Sequence, residues 1–181
     1  MAFVNYELLN QAYTAGQMKE NIRLLKDFDV FHCLLAGNAE RADAVKKRVA
    51  DLSGDFLKWL DVCDGGMLFD TAMLTTKSHD AELDLDFETY GNYYNVELRK
   101  EKNISDDWFV FAVAVHSDLF FFDMGKNDGH VYQWDIEEHT IYAVWSTFED
   151  WLSDQIYEAI GLIADELLYP MIIKMEMIGN E

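Results

Sequence analysis

The side chains with the greatest capacity for chemistry gather in one segment, HDAELDLDFETYGNYYN, from His79 to Asn95. Glu82, Asp84, Asp86 and Glu88 alternate with Ala81, Leu83, Leu85 and Phe87, so an extended backbone lines all four carboxylates along one face. Four like charges repel one another, and a cation relieves that repulsion, whether a metal ion or the Lys and Arg side chains of a partner. Tyr90, Tyr93 and Tyr94 add the amphipathic aromatic area typical of binding hot spots. The pattern points to a protein-docking edge built from Glu82, Asp84, Asp86, Glu88, Tyr90, Tyr93 and Tyr94. Two rival readings stand beside it. One is a solvated strand face whose charges discourage edge-to-edge aggregation. The other is a metal-assisted hydrolase pairing the acidic segment 79–95 with His79 or His116, for which no complete ligand set can be named. A calcium loop is disfavoured by the absence of the DxDxDG pattern with its central glycine.

Elsewhere the candidates for chemistry are weaker. The five histidines, His32, His79, His116, His130 and His139, show no HxxxH or HExxH spacing, and no Cys lies at metal-ligand distance in sequence. No metal, no cofactor and no catalytic residue is therefore expected. His116 beside Asp118, with His130 across a hairpin, makes a conceivable titratable cluster, although turn histidines are usually just solvated. Cys33 and Cys63 stand apart from any CxxC pair and read as small buried hydrophobes in a reducing compartment, a Cys-His nucleophile through space being the rival. The Gly65-Gly66 pair follows a helix, lacks a Lys-Ser/Thr behind it and sits among Asp61, Asp64 and Asp70. It reads as a left-handed backbone turn and not as a phosphate loop.

Charge narrows the choice of partner. Of 14 Lys plus Arg and 34 Asp plus Glu, residues 1–50 hold seven basic and six acidic, leaving seven basic against 28 acidic in 51–181. The formal net charge of −20 thus belongs to the second segment. Such a field repels nucleic-acid phosphate and anionic lipid and attracts a basic protein. It also maintains solubility, which is the alternative reason for it. The opening MAFVNYELLNQAY lacks the basic head and continuous apolar run of a secretory leader, and no stretch approaches about 18 apolar residues, so a cytoplasmic protein without a membrane span is expected.

The elements that must position these residues can be read from apolar periodicity. With 181 residues, 50% hydrophobic, one domain can bury a core unaided. Phe3, Tyr6, Leu9 and Tyr13, then Ile22, Leu25, Phe28 and Phe31, recur at helical steps on either side of Gly16, which predicts an N-terminal helical extension over 1–37. Residues 38–181 form the remainder of the same globular unit. Asn38 can cap a helix with Glu40 in its first turn and Ala42, Val45, Val49 and Leu52 as its stripe, with Lys46, Lys47 and Arg48 facing solvent. Phe56, Trp59, Leu60 and Cys63 continue as a further short helix, ended by Gly65 and Gly66. The period then changes. WFVFAVAV, Trp108 to Val115, is apolar on both faces and belongs in the middle of a covered sheet. Turns at Ser117-Asp118, Gly125 to Gly129 and Glu137 to His139 separate it from LFFFD, HVYQWD and TIYAVW, an antiparallel meander. Ser146 with Glu149 reads as a capping box for a helix carrying Phe148, Trp151, Leu152, Ile156, Ile160 and Ile163. Pro170 stops it, and the tail MIIKMEMI packs back or meets a second subunit, so the terminal apolar segments are available for a homodimer contact.

Five segments in order, DLSGDFLKWLDVCDGGMLF, Leu74, SDLFFFD, GHVYQWD and STFEDWL, together resemble the SUKH superfamily, over roughly Asn38 to Ile156. Two positions depart from it. Ser53 stands where the family usually has Pro, and Ala112 or Ala114 takes the place of a glycine in the central strand. That superfamily includes a fungal cell-wall synthesis regulator and many bacterial toxin-immunity proteins. The resemblance implies an α+β fold, a mostly antiparallel sheet of about 4–6 strands flanked by helices. It also implies a non-catalytic role, binding and neutralising a polymorphic toxin, and the net charge adds that the toxin is a basic one, blocked sterically and electrostatically. A regulatory adaptor or a DNA-mimicking decoy is the alternative within the same class.

Overall fold

Phe56, Trp59, Leu60 and Cys63 are all buried, so the helix expected from their spacing forms and turns its apolar stripe inward. The computed structural model describes residues 37, 39–48, 53–68, 71–76, 96–114, 116–156 and 158. The helices expected within 1–37, the Asn38 cap, Val49, Leu52, the acidic segment 79–95, and Pro170 with the tail behind it lie outside the described residues.

Helix α1, Ala39–Arg48, carries Glu40 in its first turn, and Ala42 and Val45 are buried. Lys46 Nζ reaches Asp61 Oδ1 at 2.7 Å and ties α1 to helix α2, Gly54–Val62. Both side chains remain partly exposed, so the link contributes little beyond orientation. The backbone N–H of Cys63 donates to the Trp59 carbonyl at 2.7 Å and closes α2. Gly65 and Gly66, with φ of 75° and 121°, then turn the chain into strand β1, Gly66–Leu68. This is the left-handed turn the sequence anticipates. A Cβ at Gly65 would lie 2.7 Å from the carbonyl oxygens of both Met73 and Leu74, so the site also excludes a side chain by contact. Asp64, buried beside it, accepts the Thr76 backbone N–H at 2.8 Å.

Strand β2, Thr71–Met73, pairs with β1 and with β3, Trp108–Ala114. Helix α3, Leu98–Lys102, precedes β3 and ends on Asn103 in a left-handed conformation. Strands β4, Leu119–Asp123, β5, Val131–Asp135, and β6, Thr140–Trp145, follow in turn. The sheet has six strands in the order β1-β2-β3-β4-β5-β6, every adjacent pair antiparallel. Helix α4 covers residues 148–156. The α+β class, the antiparallel meander and the central place of WFVFAVAV are thereby as expected, with β3 buried over Val110 to Val113.

The core is a knot of rings between the sheet and two helices. Phe111 falls at a register shift between Val110 and Ala112, so it has no opposite number on β4. Its ring lies 5.3 Å from Phe56, 5.6 Å from Phe148 and 4.9 Å from Trp151, joining α2 and α4 through the strand. Phe122 and Phe120 extend the same layer. Edge-to-face contacts of this kind add to what burial alone supplies.

One detail of α4 differs from expectation. The helix starts one residue later than a Ser146 cap requires. The hydroxyl of Thr147 accepts the Asp150 N–H at 3.0 Å and its carbonyl accepts the Trp151 N–H at 3.2 Å, while Ser146 is exposed. Phe148, Trp151, Leu152 and Ile156 are buried together on one face of the helix. Thr147→Ala is expected to lower unfolding free energy by about 1 kcal/mol and Ser146→Ala by much less, in urea denaturation. Gly65→Ala should cost about 1–3 kcal/mol beyond Gly129→Ala. Both glycines have positive φ, but only Gly65 faces backbone oxygens in the way. Equal losses would show that the close approach at Gly65 is readily relieved.

Candidate functional site

Strands β4 and β5 each end in an aspartate that organises the following turn. Asp123 Oδ1 accepts the N–H groups of Gly125 and Lys126, and Asp135 Oδ1 accepts those of Glu137 and Glu138. A short carboxylate bonding the backbone two and three residues on is the local chemistry that makes Asp a turn former. The hairpins are therefore rigid platforms for the side chains they carry.

At the β4–β5 turn, Tyr132 Oη donates to Asp128 Oδ2 at 2.7 Å, and Lys126 Nζ sits 4.1 Å from the Tyr132 ring centroid. His130 Nδ1 lies 3.6 Å from the same carboxylate oxygen. Partial burial disfavours the Asp128 charge, but the Tyr132 hydroxyl, the His130 backbone N–H and the charges of His130 and Lys126 outweigh it and hold the carboxyl below its ordinary range. His130 is thus engaged with Asp128 in its own turn. Asp118 is engaged elsewhere, so the cluster of His116, Asp118 and His130 conceived from sequence is replaced by two separate networks, with His116 exposed.

The second network stands at the opposite end of the hairpins. Tyr142 Oη donates to Asp118 Oδ2 at 2.5 Å, and Gln133 Nε2 donates both to Tyr142 Oη and, at 3.2 Å, to Asp118 Oδ2. Burial pushes the Tyr142 phenol up, and donation to Asp118 with that carboxylate's charge pushes it further. The register shift between Gln133 and Trp134 leaves Tyr142 without a Cα partner on β5, which frees its side chain to make this bond.

Tyr142 belongs to a surface that sequence reasoning missed. Strand β6 is the last in the sheet order, and Ile141, Tyr142 and Val144 are 40%, 54% and 52% exposed. The sequence predicts TIYAVW only as a strand, and its terminal place in the meander is the signal that one side stays open. Around this apolar strip stand carboxylates. Glu137 and Glu138 are exposed in the turn before β6, and Glu149 and Asp150 lie in the first turn of α4 after it. From His116 to Glu158 the chain holds ten Asp and Glu and one Lys.

The seven residues singled out from sequence, Glu82, Asp84, Asp86, Glu88, Tyr90, Tyr93 and Tyr94, lie outside the described residues, as does His79. Among the described residues no three of His, Cys, Asp and Glu are grouped so as to hold a metal ion, and no helix is long and apolar enough to cross a membrane. Cys63 is buried, its thiol donating to the Gly65 carbonyl at 3.6 Å.

The Tyr142 bond has a measurable pH signature. A phenol whose folded-state pKa is raised contributes stability that is complete below the unfolded value of about 10 and is lost as pH climbs through the folded value. Ultraviolet difference titration of wild type against Tyr142→Phe is expected to show one tyrosine ionising above the rest, and Asp118→Asn should bring it down toward the ordinary range.

The family model described as SMI1 / KNR4 family (SUKH-1) matches residues 39–154, more than half of the chain, from the first residue of α1 into α4. No curated protein and no solved structure matches. The serine that replaces the family's usual proline caps α2 with φ −48° and makes no side-chain capping bond, a backbone close to what a proline ring imposes. The match spans most of the described fold and more than half of the chain, and the chain belongs to the SMI1 / KNR4 family (SUKH-1).

Proposed function

We propose that this protein is a non-catalytic binding module of the immunity kind, which neutralises a basic toxin by covering it and is steered to it by electrostatics. One observation carries the reading: an exposed apolar strip, Ile141, Tyr142 and Val144, is set among carboxylates on a chain of net charge −20. Apolar anchors rimmed by a single sign of charge suit a protein partner of the opposite sign. Family membership supports the same class, since the SUKH superfamily includes many toxin-immunity proteins along with a cell-wall synthesis regulator. The mechanism needs no reacting group, only a rigid surface that excludes the toxin's own substrate. The acidic segment, with Glu82, Asp84, Asp86, Glu88, Tyr90, Tyr93 and Tyr94, is proposed as a second part of that surface. The protein is proposed to act in the cytoplasm, with residues 1–37 packed on the 38–181 unit.

An immunity role predicts that the gene lies directly downstream of a large toxin gene, and that co-expression of this chain restores growth to cells carrying that toxin's C-terminal domain. Cells that die regardless would overturn the proposal. With the purified toxin domain, the association rate should fall at least about tenfold between roughly 0.01 M and 0.15 M salt, as the Debye length shrinks. Reversing Glu82, Asp84, Asp86 and Glu88 to lysine together should slow association at low salt. An unchanged rate would remove that segment from the docking surface.

A further inference from the structure

The geometry points to β6 as an acceptor strand: we propose that the partner adds an extended segment to its outer edge, with Lys or Arg alternating with apolar residues, as a seventh strand. This deepens the proposed immunity function and rests on it, naming the partner chemistry that the same surface takes.

The two ends of the sheet are treated differently. Strand β1 offers three residues, Gly66–Leu68, and both Gly66 and Leu68 are buried. Strand β6 offers six, about 20 Å of backbone, and half of its side chains are exposed large hydrophobics. Proteins normally protect a long edge with Lys, Pro or an inward-pointing charge, since an open edge recruits other chains. TIYAVW has no charged residue and no proline. The one protective device present, the register shift opposite Gln133 and Trp134, is confined to Tyr142. Ala143, Val144 and Trp145 remain in regular register with Gln133, Tyr132 and Val131. Over that half the outward backbone groups are placed as a ladder requires.

Charge selects the occupant. Glu137 and Glu138 flank the start of β6, Glu149 and Asp150 flank its end, and Asp118 stands beside Tyr142. The only lysine or arginine in sequence between His116 and Glu158 is Lys126, which lies over the Tyr132 ring and 3.5 Å from Asp123. Lys58 of α2, paired with Asp55, feels the Glu149 charge, so Glu137, Glu138 and Asp150 carry most of the selection. A second copy of this chain pairing antiparallel through β6 would set Glu137 and Glu138 against Glu149 and Asp150 of its mate, acid against acid at both ends. A strand bearing cations meets attraction at the same places. Its backbone supplies affinity through the ladder, and its alternating apolar side chains cover Ile141 and Val144, as in other strand-addition complexes.

The test uses the full chain and an end-blocked octapeptide of alternating lysine and valine, with calorimetry at low salt. Binding is expected, and N-methylation of alternate peptide amides should weaken it more than tenfold, because the ladder cannot form. Ile141→Lys with Val144→Lys should weaken it more than tenfold with the unfolding midpoint unchanged. Glu40→Gln with Asp43→Asn, on the exposed side of α1, alters net charge equally and should leave binding within about twofold of wild type. No binding to the wild type, equal binding of the N-methylated peptide, or equal loss in both variants would overturn the proposal, the last because net charge alone then holds the peptide. Sedimentation showing a wild-type dimer that Val144→Lys dissociates would also overturn it, in favour of a second copy. A toxin domain still neutralised by the Ile141→Lys, Val144→Lys protein would refute the edge while leaving the immunity function standing. Failure of the wild type to neutralise refutes the function itself.

Discussion

The two-sided burial of β3 is the constraint from which the remaining architecture follows. A strand apolar on both faces is unstable at an edge or against water, so layers must exist above and below it. Phe111 makes the demand specific. Having no opposite number on β4, its ring projects into the layer where Phe56 of α2 and Phe148 and Trp151 of α4 converge. Helices separated by some 90 residues of chain are thereby fastened to one another through a single strand residue. On β4 and β5 a second set of rings, Phe121 stacked on Trp108 at 4.0 Å and on Tyr132 at 5.4 Å, holds neighbouring strands in register.

That rigidity is what permits an exposed apolar edge. An open hydrophobic strand on a loosely packed protein invites aggregation, whereas one held on a stiff meander, with carboxylates at both ends, discriminates by charge. Net charge and local placement do different jobs here. The summed field attracts a cationic protein over a Debye length, and in the proposed complex the positions of Glu137, Glu138, Glu149 and Asp150 around β6 select where it lands.

Much of this was legible in the chain. The two-sided run from Trp108 and the three polar turns gave the class, the order of β3 to β6 and nearly all of their boundaries, because each is a local property of backbone and turn chemistry. The three-residue strands β1 and β2 and the five-residue helix α3, in contrast, are too short to show a period. Thr147 was not legible, since Ser146 with Glu149 satisfies the same local capping rule. The exposure of Ile141, Tyr142 and Val144 escaped for a related reason. Apolar residues report a preference for burial, and whether a neighbour arrives to satisfy it depends on which strand comes last. The acidic segment 79–95, the most prominent feature of the sequence, lies outside the described residues, and its docking role stays a proposal drawn from pattern.

The route by which the chain leaves β6 has a geometric result. Trp145 ends the strand, and its indole Nε1 donates to Asp154 on α4 at 2.9 Å, pinning the departing backbone back across the ring layer. The polypeptide therefore exits by folding over the sheet instead of running alongside it. Among the described residues no strand pairs with the outer side of β6, so a strand added there as proposed leaves without any part of the host having to unthread.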